Sequence, residues 1–310
     1  MPYRKKYGGP RTKRRRTSYR RAPSSAKTRR YRTTKKTYRP RMTQKRMLNV
    51  TSRKKRDTML CATNTTAATP AGGTSYGPGP AVMTAANTYM FPWIATWRDN
   101  SVATGTAPIG TVFDPATRTA TTCYMRGLKE ANTLVANDGS QWMWRRICFT
   151  WKGSELYQQT TSGFSFAFEN SSGNRRLVND IQNGSTTITG SLIALLFKGS
   201  QGSDWANYFN APVDNTRVSI KSDKTRRLTS GNQNGTMRVY KDWYPMNKNL
   251  VYDDDENGGN ESSAAASVRG KQGMGDYYII DIFACPAPQQ AGTASTLAWA
   301  PEATLYWHEK

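Results

Sequence analysis

Lys13-Arg14-Arg15-Arg16, Arg20-Arg21, Arg29-Arg30, Lys35-Lys36, Lys45-Arg46 and Arg53-Lys54-Lys55-Arg56 are cationic runs with no acid among them. Tyr19, Tyr31 and Tyr38 stand between the runs. Guanidinium and ammonium groups on such a track neutralise phosphates and release condensed counterions, with a log–log salt slope of roughly −0.7 per contact on single strands. Phenol rings spaced through the charge stack on unpaired bases, at about 1–3 kcal/mol each and with little sequence preference. The residue types therefore predict binding to single-stranded nucleic acid: the named Arg and Lys residues on phosphates, and the three tyrosines on bases, without sequence readout.

These residues share one segment. Residues 1–56 hold 24 of the chain's 45 Lys and Arg and no Asp or Glu, the first acid being Asp57. The rest of the chain carries 21 bases against 21 acids, so the net charge of +24 belongs to this segment alone. Leu, Val, Ile, Phe and Trp are missing from it until Leu48. It has little apolar surface to offset a backbone entropy cost of roughly 1–2 kcal/mol per residue, and it is expected to be a disordered arm when alone. A solvated tail is the plain alternative, but a charge block this large needs a polyanion to condense it. Membrane insertion is not expected, because no Trp, Phe or Leu face accompanies the charge and position 2 is not Gly. The runs at 13–16 and 53–56 also match nuclear-import signals.

Catalysis is not expected. The sole histidine, His308, cannot pair with another on a metal as a nuclease with a tyrosine nucleophile requires. Gly270-Lys271-Gln272-Gly273-Met274-Gly275 lacks the Gly-Lys-Ser/Thr of a phosphate-binding loop, and Gly153-Ser154-Glu155 is no nucleophile elbow. Cys61, Cys123, Cys148 and Cys285 show no Cys-x-x-Cys spacing and read as free buried thiols. The acidic run Asp253-Asp254-Asp255-Glu256 does not alternate as calcium ligands do, so neither a metal nor a cofactor is expected. No apolar run is long enough for a transmembrane helix, and the polar N-terminus does not read as a signal peptide.

Beyond the arm, short aromatic and β-branched runs alternate with turn residues, at 58–64, 89–97, 119–125, 141–151, 164–169, 191–198, 217–221, 236–243, 277–284 and 303–308. Segments 127–136 and 203–210 could be short peripheral helices. Trp142, Trp144, Ile147 and Phe149 alternate with one break, which suggests a bulged strand carrying Arg145 and Arg146 on its two faces. Uneven connections without a repeat predict an all-β fold, a two-sheet Greek-key sandwich of eight-stranded jelly-roll type over residues 57–310.

Lys54 to Leu60, Asn64-Thr65-Thr66-Ala67-Ala68-Thr69-Pro70, Cys123 to Glu130, Trp144 to Phe149 and the ending Glu302 to Lys310 together resemble the capsid proteins of genomoviruses, the gemycircularvirus group. The resemblance runs from the arm junction to the last residue. It implies a single jelly-roll coat protein, similar to that of geminiviruses, which builds a small icosahedral virion around a circular single-stranded DNA genome. It also implies assembly in the host nucleus, with host nuclear-import receptors as partners, and it assigns no DNA-contact residue.

The charge is of the right size for that role. About 60 copies in the smallest icosahedral shell could neutralise on the order of 1,400 phosphates, a small single-stranded circle. In such a shell Lys45, Arg46 and Arg53 to Arg56 would lie nearest the inner wall. Arg145 and Arg146 could extend the DNA track or pair with acids, and Trp97, Trp205 and Tyr208 could anchor subunit contacts or fill the core. The alternative is a cellular nucleic-acid-binding protein with a basic tail and a β-sandwich module.

Overall fold

A computed structural model of the protein describes residues 42–102, 109–159, 163–290 and 294–310, and residues 44–310 form one compact unit. Residues 1–41 of the expected 1–56 arm lie outside the described residues.

The unit opens with helix α1 (Gln44–Thr51) and strand β1 (Arg53–Met59). Two further strands follow, β2 (Ala81–Thr84) and β3 (Tyr89–Ile94), and then two long strands joined by a short turn, β4 (Thr122–Asp138) and β5 (Gln141–Trp151), which enter different sheets. Helix α2 (Thr186–Leu196) precedes β6 (Ser219–Leu228) and β7 (Asn234–Val251). Strands β8 (Asp276–Ala287) and β9 (Thr296–Glu309) complete the fold.

Two antiparallel sheets form a predominantly β sandwich. The first runs β1-β9-β4-β7, with β2 also paired to β9, and the second runs β6-β5-β8-β3. Residues 53–59 and 81–84 pair with successive stretches of one edge of β9, so β1 and β2 behave as two pieces of a single broken strand.

The two sheets differ in how they are covered. Along β9, buried and less buried residues alternate from Leu297 to Glu309, as a strand with one covered face requires. In β8 the first eight residues are all buried. Tyr277 and Ile279 face the first sheet, and Tyr278, Ile280 and Ile282 pack against Ile188, Leu192, Leu196 and Phe197 of the α2 layer. The centre of the second sheet is thus covered on both faces, while the first sheet leaves one face open.

Four expectations are revised by the structure. Segment 127–136 lies inside β4, where Glu130 and Asn132 are fully buried beside Leu128 and Leu134, and polar residues on the covered face hid the alternation. Segment 203–210 is a set of turns. The run from Ser191 is the second half of α2, whose Ile188, Leu192 and Leu196 recur at four-residue spacing behind the Ser185 cap. The expected bulge is also displaced: β5 pairs without a slip with β8 through its centre, and the register against β6 shifts between Ile220 and Ser222.

Candidate nucleic-acid interface

Arg53 to Arg56 do not trail from the domain but form the start of β1, paired antiparallel with Tyr306 to Glu309. The boundary expected after Arg56 therefore falls inside a strand. Pairing alternates the side chains: Lys54 and Arg56 are exposed, while Lys55 is buried. The Lys55 Nζ donates to Thr117 O at 2.7 Å and Thr119 Oγ1 at 3.1 Å, and lies 3.1 Å from Glu309 Oε2. Burial alone would raise the Glu309 carboxyl, but donors on Thr119 and Trp307, together with Lys55, hold it below the ordinary carboxylate range. Lys55 was expected on phosphate; its charge is instead taken up within the sandwich.

Arg53 is exposed and donates to Val112 O at 3.3 Å, with its guanidinium 5.5 Å from the Phe113 ring centre. Lys45 and Arg46 lie on α1, whose Met47, Leu48 and Val50 are exposed. Arg14, Arg15, Arg16, Arg20, Arg21, Arg29, Arg30, Lys35, Lys36, Tyr19, Tyr31 and Tyr38 lie outside the described residues.

Arg145 and Arg146 point to opposite faces of β5, and acids claim both. Arg145 grips Asp223 of β6 at 3.0 and 2.7 Å and donates to Ala211 O at 2.8 Å. Arg146 turns between the sheets and meets Asp281 of β8 at 2.6 and 2.9 Å and Glu130 of β4. Arg176 completes the group, 2.7 Å from Glu130 Oε1 and 2.8 Å from Asp281 Oδ2. Two cations and two anions, each no more than 4 % exposed, thus neutralise one another inside the sandwich. Burial would raise the Glu130 carboxyl, yet Arg146 and Arg176 bring it below its usual value. The charge of all three arginines is thus paired with acids of the sandwich itself.

The aromatic candidates divide. Trp205 and Tyr208 sit in the core with Phe197, their own rings 5.5 Å apart. Trp97 is half-buried, edge-on to Tyr157 at 5.1 Å. The acidic loop also divides. Asp254 is buried and bidentate to Arg118 at 2.6 and 2.8 Å, while 255–257 and 260–262 form an exposed hairpin. The four cysteines are free and buried, and among the described residues no group of three or more His, Cys, Asp or Glu is placed to hold a metal ion.

Cationic residues that sequence reasoning passed over collect on the open face of the first sheet. Arg126 and Lys129 of β4 and Lys241 of β7 are exposed there with Lys54 and Arg56. They are scattered through a neutral stretch of sequence, and only strand register unites them. No protein-family model matches the chain, and no curated protein sequence matches it.

Proposed function

We propose that the chain is a viral coat protein that assembles into a small icosahedral shell and packages circular single-stranded DNA through residues 1–56, as the resemblance to genomovirus capsid proteins implies. The observation that carries this reading is the segregation of charge: a +24 segment joined to a neutral β sandwich. A neutral sandwich can tile against copies of itself, and the basic segment can neutralise the polymer enclosed.

The strand order supports a jelly roll. With β1 and β2 taken as one broken strand, the first sheet reads first-eighth-third-sixth and the second reads second-seventh-fourth-fifth. Every connection except that from β5 to β6 then passes from one sheet to the other, the connectivity of two interleaved Greek keys. Cationic runs at 13–16 and 53–56 fit import receptors ahead of assembly in the host nucleus, although Lys55 would have to be exposed before β1 pairs. Catalysis has no part in this reading.

The test is purification of the full-length protein without nuclease, with particle mass and the ratio of absorbance at 260 and 280 nm as readouts. A megadalton particle containing nucleic acid is expected. A monomer-sized species that binds oligonucleotides would overturn self-assembly and favour a cellular binding protein.

A further inference from the structure

On the open face of the first sheet, Trp243 of β7 lies across Gly127 of β4. A Cβ at Gly127 would stand 2.7 Å from the indole and 2.5 Å from Tyr244 O, so the missing side chain is what lets the ring approach the strand so closely. The indole is 49 % exposed and its centre is 5.8 Å from the Tyr306 ring of β9. A second aromatic pair continues the row: Tyr124 and His308, 6.0 Å apart. Tyr306 and His308 are two residues apart on one face, about 7 Å along the strand, which leaves room for separate bases.

Cations surround both pairs. Lys54 and Arg56 pair directly across from His308 and Tyr306, Lys129 is opposite Trp243, and Lys241 is two residues further along β7. Arg126 bulges from the register between Gly127 and Met125 and donates to Asn247. Burial, then Arg126 and Lys54, lowers the His308 pKa, which leaves the imidazole neutral at physiological pH. Among the described outward-facing residues of this face, the one acid is Glu302.

We propose that this face is a stacking platform for single-stranded nucleic acid, with bases on Trp243 and Tyr306 and phosphates on Arg126, Lys129, Lys54 and Arg56. The inference rests on the packaging reading above and extends it from the arm to the sandwich. Flat rings amid uncompensated positive charge match a polyanion whose bases are unpaired. Lys54 and Arg56, the last cations of the basic segment, belong to this same sheet. A duplex hides its base faces and would gain from the cations alone. A second copy of this chain is the other conceivable occupant, since Val135, Met237 and Val239 are exposed towards the far end of the face.

The test uses the full-length chain and an oligothymidylate carrying a photoreactive thymine. Photocrosslinking followed by peptide mass spectrometry is expected to place adducts on the Trp243 and Tyr306 peptides in addition to residues 1–56. At about 0.5 M salt, where the arm's phosphate contacts are weakened, Trp243→Ala is expected to lower affinity about tenfold and Trp243→Phe to retain it. Arg126→Gln with Lys129→Gln should reduce the salt slope by about 1.4. Adducts confined to residues 1–56, with Trp243→Ala binding as the parent does, would overturn the platform and leave arm-driven packaging intact. A Trp243→Ala protein that changes its assembly mass but not its affinity would overturn it in favour of a contact between copies. Failure of the parent chain to bind any oligonucleotide would sink both proposals.

Discussion

Lys55 and Glu309 lie 3.1 Å apart at opposite ends of the described chain, side by side in paired strands and each nearly sealed from water. The arm thus ends in a buried ion pair. Removing one partner strands the other in a low dielectric, a loss of about 3–5 kcal/mol. Glu309→Ala is expected to lower the unfolding free energy by that amount, measured in urea, whereas Lys54→Ala, at the exposed neighbour, should stay within about 0.5 kcal/mol.

Glu130→Gln probes the charge cluster between the sheets. It leaves Arg146 and Arg176 facing Asp281 alone, so a destabilisation of about 3–5 kcal/mol is expected. Equilibrium unfolding that shows less than 1 kcal/mol would mean the cluster is not held as described.

Acidification from neutral pH to about 5 should stabilise the sandwich. Burial raises Asp180 and Asp276 to about 6, and Glu169 is raised to about 6 mainly by burial. Ordinary carboxyls lie near 4, so between these values the folded state binds more protons and stability falls as pH rises. His308, lowered by burial, pulls the other way below its usual value, but it is one group against three. Below about pH 4 the sign reverses as Glu130, Glu309 and Asp254, all held low, become protonated. Melting temperatures across this range should peak near pH 5, and Asp276→Asn should flatten the neutral limb.

Truncation separates arm from domain at a different place than composition suggests. Deleting residues 1–43 should abolish nucleic-acid packaging and leave the melting temperature nearly unchanged, because 44–310 is a complete unit. Deleting residues 1–59 removes β1, exposes an edge of β9 and unpairs Glu309, and that protein should fail to fold or aggregate.

Gly127→Ala should be costly for a strand residue. Its φ of +153° and the contact with Tyr244 O both oppose a Cβ. A loss of about 1–3 kcal/mol is expected, with a change in Trp243 fluorescence as the indole is lifted.

Much of the fold was legible because β-branched and aromatic runs bounded by turn residues mark strands directly. Legibility failed where a covered face carries charge: Glu130 and Arg146 broke the patterns of β4 and β5, and only their mutual pairing explains their burial. It failed at α2 because Ile, Leu and Thr suit either state locally, and packing on β8 decides. At the site, the charge of residues 1–56 was plain in the sequence. Trp243, Tyr306, Arg126 and Lys129 were not, since they come together through register between strands distant in the chain.

The pairing of Arg53 with Glu309 also places the two chain ends of the sandwich at one doorway. A peptide or reporter appended after Lys310 would emerge beside the root of the basic segment. In the shell proposed above it would share whatever compartment that segment occupies, which offers a route for loading guests by C-terminal fusion while leaving the loops at the far end of the sheets untouched.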